Sequence, residues 1–226
     1  MTNAIDAQAQ AGAAVYSRTV LAAYDWFVLG FSNRVLWRCP TVEIAALYDR
    51  HLSANHLDVG VGSGYFLDRC KFPSAEPRLA LMDLNATALE HCARRVARYR
   101  PLTVRHNVLT PLPRSGPRFD SIALGYLLHC LPGALPDKAV VFDHLAAVLA
   151  PGGVIFGSTL LQGDAPRSWP ARRLMDVYNR KGIFSNREDD ARGLRAALEQ
   201  RFDEVQLQLH GCAALFAARG RNVPAT

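Results

Sequence analysis

The run His56-Leu57-Asp58-Val59 leads directly into Gly60-Val61-Gly62-Ser63-Gly64, and Tyr65-Phe66-Leu67 follows with helical character. A strand, a glycine turn and a helix start in that order let backbone N–H groups approach a ligand closely, because no Cβ stands in the way. Several nucleotide ligands are held by such loops. In the dinucleotide form G-x-G-x-x-G a third glycine permits close approach around the pyrophosphate; Tyr65 occupies that position here and disfavours a dinucleotide. Asp83 closes the run Leu79-Ala80-Leu81-Met82-Asp83. A carboxylate emerging there beside the glycine loop can accept from both hydroxyls of a ribose. The alternative is that it helps cap the helix opened by Asn85. His129, within Gly125-Tyr126-Leu127-Leu128-His129-Cys130-Leu131-Pro132, is the candidate catalytic residue. An imidazole can take a proton from a hydroxyl or amine near neutral pH, or it can serve to orient a neighbour.

The elements that must position these groups alternate between short branched runs and segments of helical period, the pattern of an α/β fold with helices on both faces of a mostly parallel sheet. Strands are expected at about 56–60, 79–84, 102–108, 120–126 and 152–160, with helices opening near Gly64, Asn85 and Asp137. Pro151-Gly152-Gly153 is expected to break the last of these after Ala150, and a further helix is expected over Arg187 to Phe202. Glu204 to His210 and Ala213 to Arg219 are joined by so short a turn that they must be antiparallel, which reverses the last strand. No linker, repeat or low-complexity tract divides the 226 residues, so one domain is expected. Its parts are an aromatic helical cap over 1–50 (Tyr16, Tyr24, Trp26, Phe27), a core over 51–160, a substrate lid over 161–190, and the final helix and hairpin over 191–226.

Half of the residues are hydrophobic, which suits a globular chain, and the apolar runs fall far short of the roughly 20 residues that cross a bilayer. Met1 to Ala14 has neither a basic start nor an apolar block, so a cytoplasmic location is expected. The five cysteines are widely spaced without a C-x-x-C pair, which fits neither a disulfide framework nor a zinc site. A net charge of +6 raises the question of nucleic acid. The arginines are scattered, however, and Arg94-Arg95-Arg98-Arg100 reads as a solvated helix face, so a nucleic-acid partner is not expected.

Taken together the motifs resemble the class I S-adenosylmethionine (SAM)-dependent methyltransferases over residues of roughly 40–219. Asp58-x-Gly60-x-Gly62-x-Gly64 resembles the family's first motif and Asp83 its ribose-binding acid. Phe119-Asp120-Ser121-Ile122-Ala123-Leu124 resembles its fourth strand, and Leu149-Ala150-Pro151-Gly152-Gly153 the segment leading into its fifth. The resemblance implies a Rossmann-like seven-stranded sheet, SAM as cofactor and S-adenosylhomocysteine as product, with no metal. It places Asp58, Gly60, Gly62, Gly64, Asp83 and Gly125 at the cofactor, with Leu84 and Val108 flanking the adenine. Asn107 stands where the family commonly has an acid, and its side-chain carbonyl can still accept from the adenine amino group.

Tyr24-Asp25 and Trp37-Arg38 are similar to pairs in the cap of small-molecule members, including quinone C-methyltransferases. There Arg38, with Tyr24, would hold the methionyl carboxylate. By the same resemblance Tyr16, Tyr126, Arg172, Met175, Tyr178, Asn179 and Phe184 would meet the acceptor, although the spacing of Met175 and Tyr178 equally suits a core-facing helix stripe. The implied activity is methyl transfer to a small organic acceptor at O, N or C. An RNA or protein methyltransferase is one alternative, against which Gly125-Tyr126-Leu127-Leu128 stands where many base-methylating relatives have Asn/Asp-Pro-Pro-aromatic. A non-catalytic SAM-binding protein is the other. The oligomeric state is left open, a homodimer included.

Overall fold

The computed structural model describes residues 32–113, 116 and 118–220. Seven strands form one sheet in the order β3-β2-β1-β4-β5-β7-β6. They are β1 (Asn55–Val59), β2 (Arg78–Asp83), β3 (Leu102–Arg105), β4 (Phe119–Gly125), β5 (Leu149–Leu160), β6 (Glu204–His210) and β7 (Ala213–Arg219). β1 pairs in parallel with β2 on one side and β4 on the other, so the chain order reverses about β1. In open α/β sheets ligands collect in the crevice at the carboxyl ends beside such a reversal. β7 enters between β5 and β6 and runs antiparallel to both, which is the terminal reversal expected from the short turn.

The inner strands are buried along nearly their whole length, as a sheet covered on both faces requires, whereas edge strand β6 alternates. The register shows the two covers. Gly157 lies opposite Phe216, so Phe156 and Phe216 point to opposite faces. Phe156 meets Tyr48 and His51 of α1 (Thr41–His51), while Phe216 meets Phe142 of α5 (Val140–Ala146). α2 (Tyr65–Arg69) follows the glycine loop, and α3 (Ala86–Arg95) packs on β2 with Asn85 Oδ1 accepting from Thr87 and Ala88 as its cap.

Several boundaries differ from the sequence expectation. The helix expected at Asp137 opens earlier, as α4 (Leu135–Lys138), and Asp137 reaches back to accept from the Ala134 N–H at 3.2 Å. Pro151-Gly152 does not end a helix, because α5 stops at Ala146. The pair instead lies inside β5, where the register against β4 shifts between Phe119 and Ser121. A bulge of that kind accommodates the missing proline N–H. The helix expected over 187–202 is α7 (Ala191–Glu199), because Asp190 caps it by accepting from the Gly193 N–H.

Beyond β5, α6 (Trp169–Arg180) starts at Ser168, whose hydroxyl accepts from Ala171 N–H, and buries Ala171 and Met175. Residues 181–190 then fold back against the core. Ser185 N–H donates to the His129 carbonyl at 2.8 Å, and Asn186 Nδ2 donates to the Leu160 carbonyl at 2.9 Å. Under this segment Lys138 and Asp189 form an ion pair of 2.6 Å with side chains 0% and 1% exposed, and Lys138 Nζ also donates to the Ser185 carbonyl. Burial lowers the Lys138 pKa and raises that of Asp189, so each charge persists because the other is beside it. Removing one partner strands the other: Lys138→Met is expected to cost about 3–5 kcal/mol in urea unfolding. The double variant Lys138→Met/Asp189→Leu should lose clearly less than the sum of its two singles.

Candidate functional site

Gly60, Gly62 and Gly64 follow β1 with φ of 72°, 50° and 73°, a turn that carries the chain from the sheet into α2. Gly60 N–H donates to the Met82 carbonyl at 2.8 Å, which ties the loop to the end of β2. At Gly62 a Cβ would meet nothing within 4 Å, so this residue presents bare backbone to open space. That space is a cavity of two lobes. One is lined by Gly60, Gly62, Met82, Asp83, Leu84, Asn107, Val108, Tyr126, Leu127, Cys130 and Leu131 among others. The second is lined by Tyr48, Asp58, Gly60, Val61, Gly62, Ser63, Gly64, Tyr65, Phe66, Leu67, Gly125 and Tyr126. Gly60, Gly62 and Tyr126 border both, so the lobes meet across the loop.

In the first lobe the Asp83 carboxylate accepts from the Asn85 N–H at 2.8 Å. Burial pushes its pKa up to about 6, against the opposing pull of the Asn85, Gly62 and Val61 backbone N–H groups. Asp83 therefore assists the start of α3, as the capping alternative had it, and also lines the cavity. Asn107 Oδ1 accepts from Leu109 N–H at 3.1 Å, a local turn that ends the third strand three residues before its expected limit and directs Val108 inward.

In the second lobe Asp58 is 3% exposed, and its Oδ2 accepts from the Tyr48 hydroxyl at 3.0 Å. Burial, then the adjacent Asp58 charge, holds the Tyr48 pKa well above its ordinary value. Gly125 has to be small for this reason, since a Cβ there would lie 2.7 Å from the Tyr48 hydroxyl oxygen. Tyr126 follows at φ 56°, a conformation costly for a bulky residue and held by its surroundings. Its N–H donates to the Ser158 carbonyl at 2.9 Å and its hydroxyl donates to Asn33 Oδ1 at 3.0 Å.

His129 is 3% exposed and does not border either lobe. Its Nδ1 accepts from Leu160 N–H at 3.3 Å, and burial, with Lys138 nearby, pushes its pKa down to about 3. A ring that is neutral and accepts at Nδ1 carries its proton on Nε2, so the nitrogen left over is a donor. That arrangement suits orientation better than proton removal. Phe184 meets the His129 ring edge-on at 4.5 Å and Tyr178 at 4.9 Å, forming an aromatic series with Tyr126. Met175 is wholly buried, Asn179 is committed to Gln162, Asn186 and the Met175 carbonyl, and Arg172 is exposed. Arg38 is exposed at φ 54° beside Gly211 of the β6–β7 turn and is not among the residues that line either lobe. Tyr16 and Tyr24 lie outside the described residues. Tyr48, which the sequence reading missed, stands on the apolar stripe of α1 with Ile44, Leu47 and His51. A hydroxyl within that stripe was its one sequence signal. Among the described residues no cluster of His, Cys, Asp and Glu is arranged to hold a metal.

Residues 57–155 match the family model described as "Methyltransferase domain". Demethylluteothin O-methyltransferase of Streptomyces thioluteus is 42% identical over 214 residues, 95% of this chain and 93% of that protein. The physcion biosynthesis cluster O-methyltransferase of Aspergillus chevalieri is 37% identical over 209 residues, covering 92% and 94%. The solved DhpI–SAH complex shares the fold, with a TM-score of 0.62 at 12% identity over 95% of this chain and 98% of that one.

The His129 geometry has a direct readout. Nitrogen-15 NMR of the ring should show the Nε2–H tautomer and no titration from about pH 8 down to about pH 5; a midpoint near the ordinary value of 6.5 contradicts it. The unfolded chain takes up this proton near 6.5 and the folded chain near 3, so stability falls as pH drops through that window. His129→Gln should flatten that part of the slope.

Proposed function

The chain belongs to the SAM-dependent methyltransferase family, and from that premise we propose that it transfers a methyl group to a hydroxyl of a small organic acceptor. The observation that carries this reading is the two-lobed cavity joined across the bare backbone of Gly62, with a carboxylate in each lobe. A nucleoside and an amino-acid tail on one ligand ask for such a division. In the proposed arrangement Asp83 accepts from the ribose hydroxyls, Leu84 and Val108 flank the adenine, and Asn107 lies at its amino edge. Asp58 and the loop backbone from Gly60 to Gly64 hold the amino-acid end, with Gly125 and Tyr126 at the junction.

The cofactor supplies a methyl group already activated on sulfonium sulfur, so the protein's task is alignment and exclusion of water. With the cofactor held there, the acceptor oxygen would gain the methyl group as its bond to sulfur is lost, and the hydroxyl proton would pass to solvent as the product leaves. Tyr126, Phe184 and Tyr178 form the proposed acceptor wall, with His129 orienting it, and Met175 and Asn179 support that wall from behind. The choice of oxygen rests on the two relatives, both named O-methyltransferases.

Incubating the protein with methyl-labelled SAM and a metabolite extract should give a labelled methyl ether by mass spectrometry; label found solely in RNA or protein, or in nothing, contradicts the reading. Asp83→Ala should weaken S-adenosylhomocysteine binding by about 1–3 kcal/mol in calorimetry. Ribose hydroxyls need the ionised carboxylate, and with a pKa of about 6 this affinity should be level above neutrality and fall as pH drops below 6. Asp83→Asn should remove that dependence.

A further inference from the structure

Beneath the second lobe runs a buried polar chain. Ser53 Oγ lies 2.7 Å from Ser121 Oγ, which lies 2.8 Å from His56 Nδ1. On its far side His56 Nε2 stands 3.7 Å from Asp58 Oδ2, the oxygen to which the Tyr48 hydroxyl donates. His56 and Ser121 are 0% exposed, and His56 Nε2 makes no hydrogen bond. A series of polar groups within an apolar core is costly unless each one supports the next.

We propose that Tyr48 binds the ammonium group at the amino-acid end of the cofactor, and that His56, acting through Asp58, positions it. The proposal rests on the cofactor reading above and adds the residues that recognise the cationic end. The Tyr48 proton is committed to Asp58, so the hydroxyl oxygen has lone pairs to offer, and the residue borders the second lobe. Its place is fixed from three sides. The ring stacks on Phe66 at 5.2 Å, meets Phe156 edge-on at 5.2 Å, and sets its hydroxyl against the end of β4 at Gly125. An ammonium arriving there also compensates the Asp58 carboxylate, which among the described residues has no lysine or arginine within ion-pair distance. With its proton on Nε2, His56 faces that carboxylate and keeps it turned toward Tyr48.

The test is calorimetry on the full chain with two ligands: S-adenosylhomocysteine, and 5′-methylthioadenosine, which keeps the adenosine and thioether but lacks the amino-acid end. Tyr48→Phe is expected to weaken S-adenosylhomocysteine about tenfold and leave 5′-methylthioadenosine unchanged. His56→Leu should show the same selective loss to a smaller extent, and His56→Gln, whose amide can face Asp58, should restore it. Should Tyr48→Phe fail to fold, Gly125→Ala displaces the hydroxyl from the other side and should give the same selectivity. Unchanged binding of both ligands in Tyr48→Phe, or equal loss of both in either variant, overturns the proposal. A wild-type chain that binds neither ligand defeats the cofactor reading itself.

Discussion

Between Val59 and Tyr65 the backbone turns through three glycines at positive φ, a path that residues with side chains rarely follow. The hydrogen bond from Gly60 N–H to the Met82 carbonyl fixes where that turn stands relative to β2, and hence how far Asp83 lies from it. The same turn delivers Phe66 under Tyr48, which in turn sets the Asp58 carboxylate and excludes any side chain at Gly125. Both lobes of the cavity are therefore consequences of one short stretch of backbone, supported by the parallel pairing of β1 with β2 and β4.

Charge is distributed around that turn with a consistent logic. Two acids border the cavity, and each is held partly by neutral donors, Asn85 and the loop N–H groups for Asp83 and Tyr48 for Asp58. Neutral donors leave negative potential in place, which a cationic ligand can use. A further acid, Asp189, is treated differently: Lys138 neutralises it and the pair locks residues 185–189 to α4. His129 stands near that lysine and is kept neutral by burial and by its charge. In the proposed arrangement the first set of charges serves recognition and the second serves to build the acceptor wall.

The glycine loop, Asp83 and the terminal hairpin were legible in the sequence because each is specified by neighbours in the chain. Features that depend on distant partners were not. Nothing near Lys138 announces Asp189, and nothing near Tyr48 announces Asp58 or Gly125. The boundary errors have local causes that a pattern of hydrophobicity does not carry: the Asn107 turn that shortens β3, the bulge that admits Pro151, and the backward reach of Asp137 to Ala134. Around the glycine loop the sequence named part of each lobe, Asp83, Leu84, Asn107 and Val108 in the first and Asp58, Gly64 and Gly125 in the second, whereas Tyr48, far from them in the chain, was not legible.

In the proposed arrangement the two lobes hold the two halves of one ligand. A crystal structure of the complex with S-adenosylhomocysteine tests it most directly. Both ribose hydroxyls are expected within hydrogen-bond distance of Asp83, with the ligand crossing the open face of Gly62 and its amino-acid end beside Asp58 and Tyr48. A ligand seated elsewhere, or one whose amino-acid end leaves the second lobe empty, would contradict it.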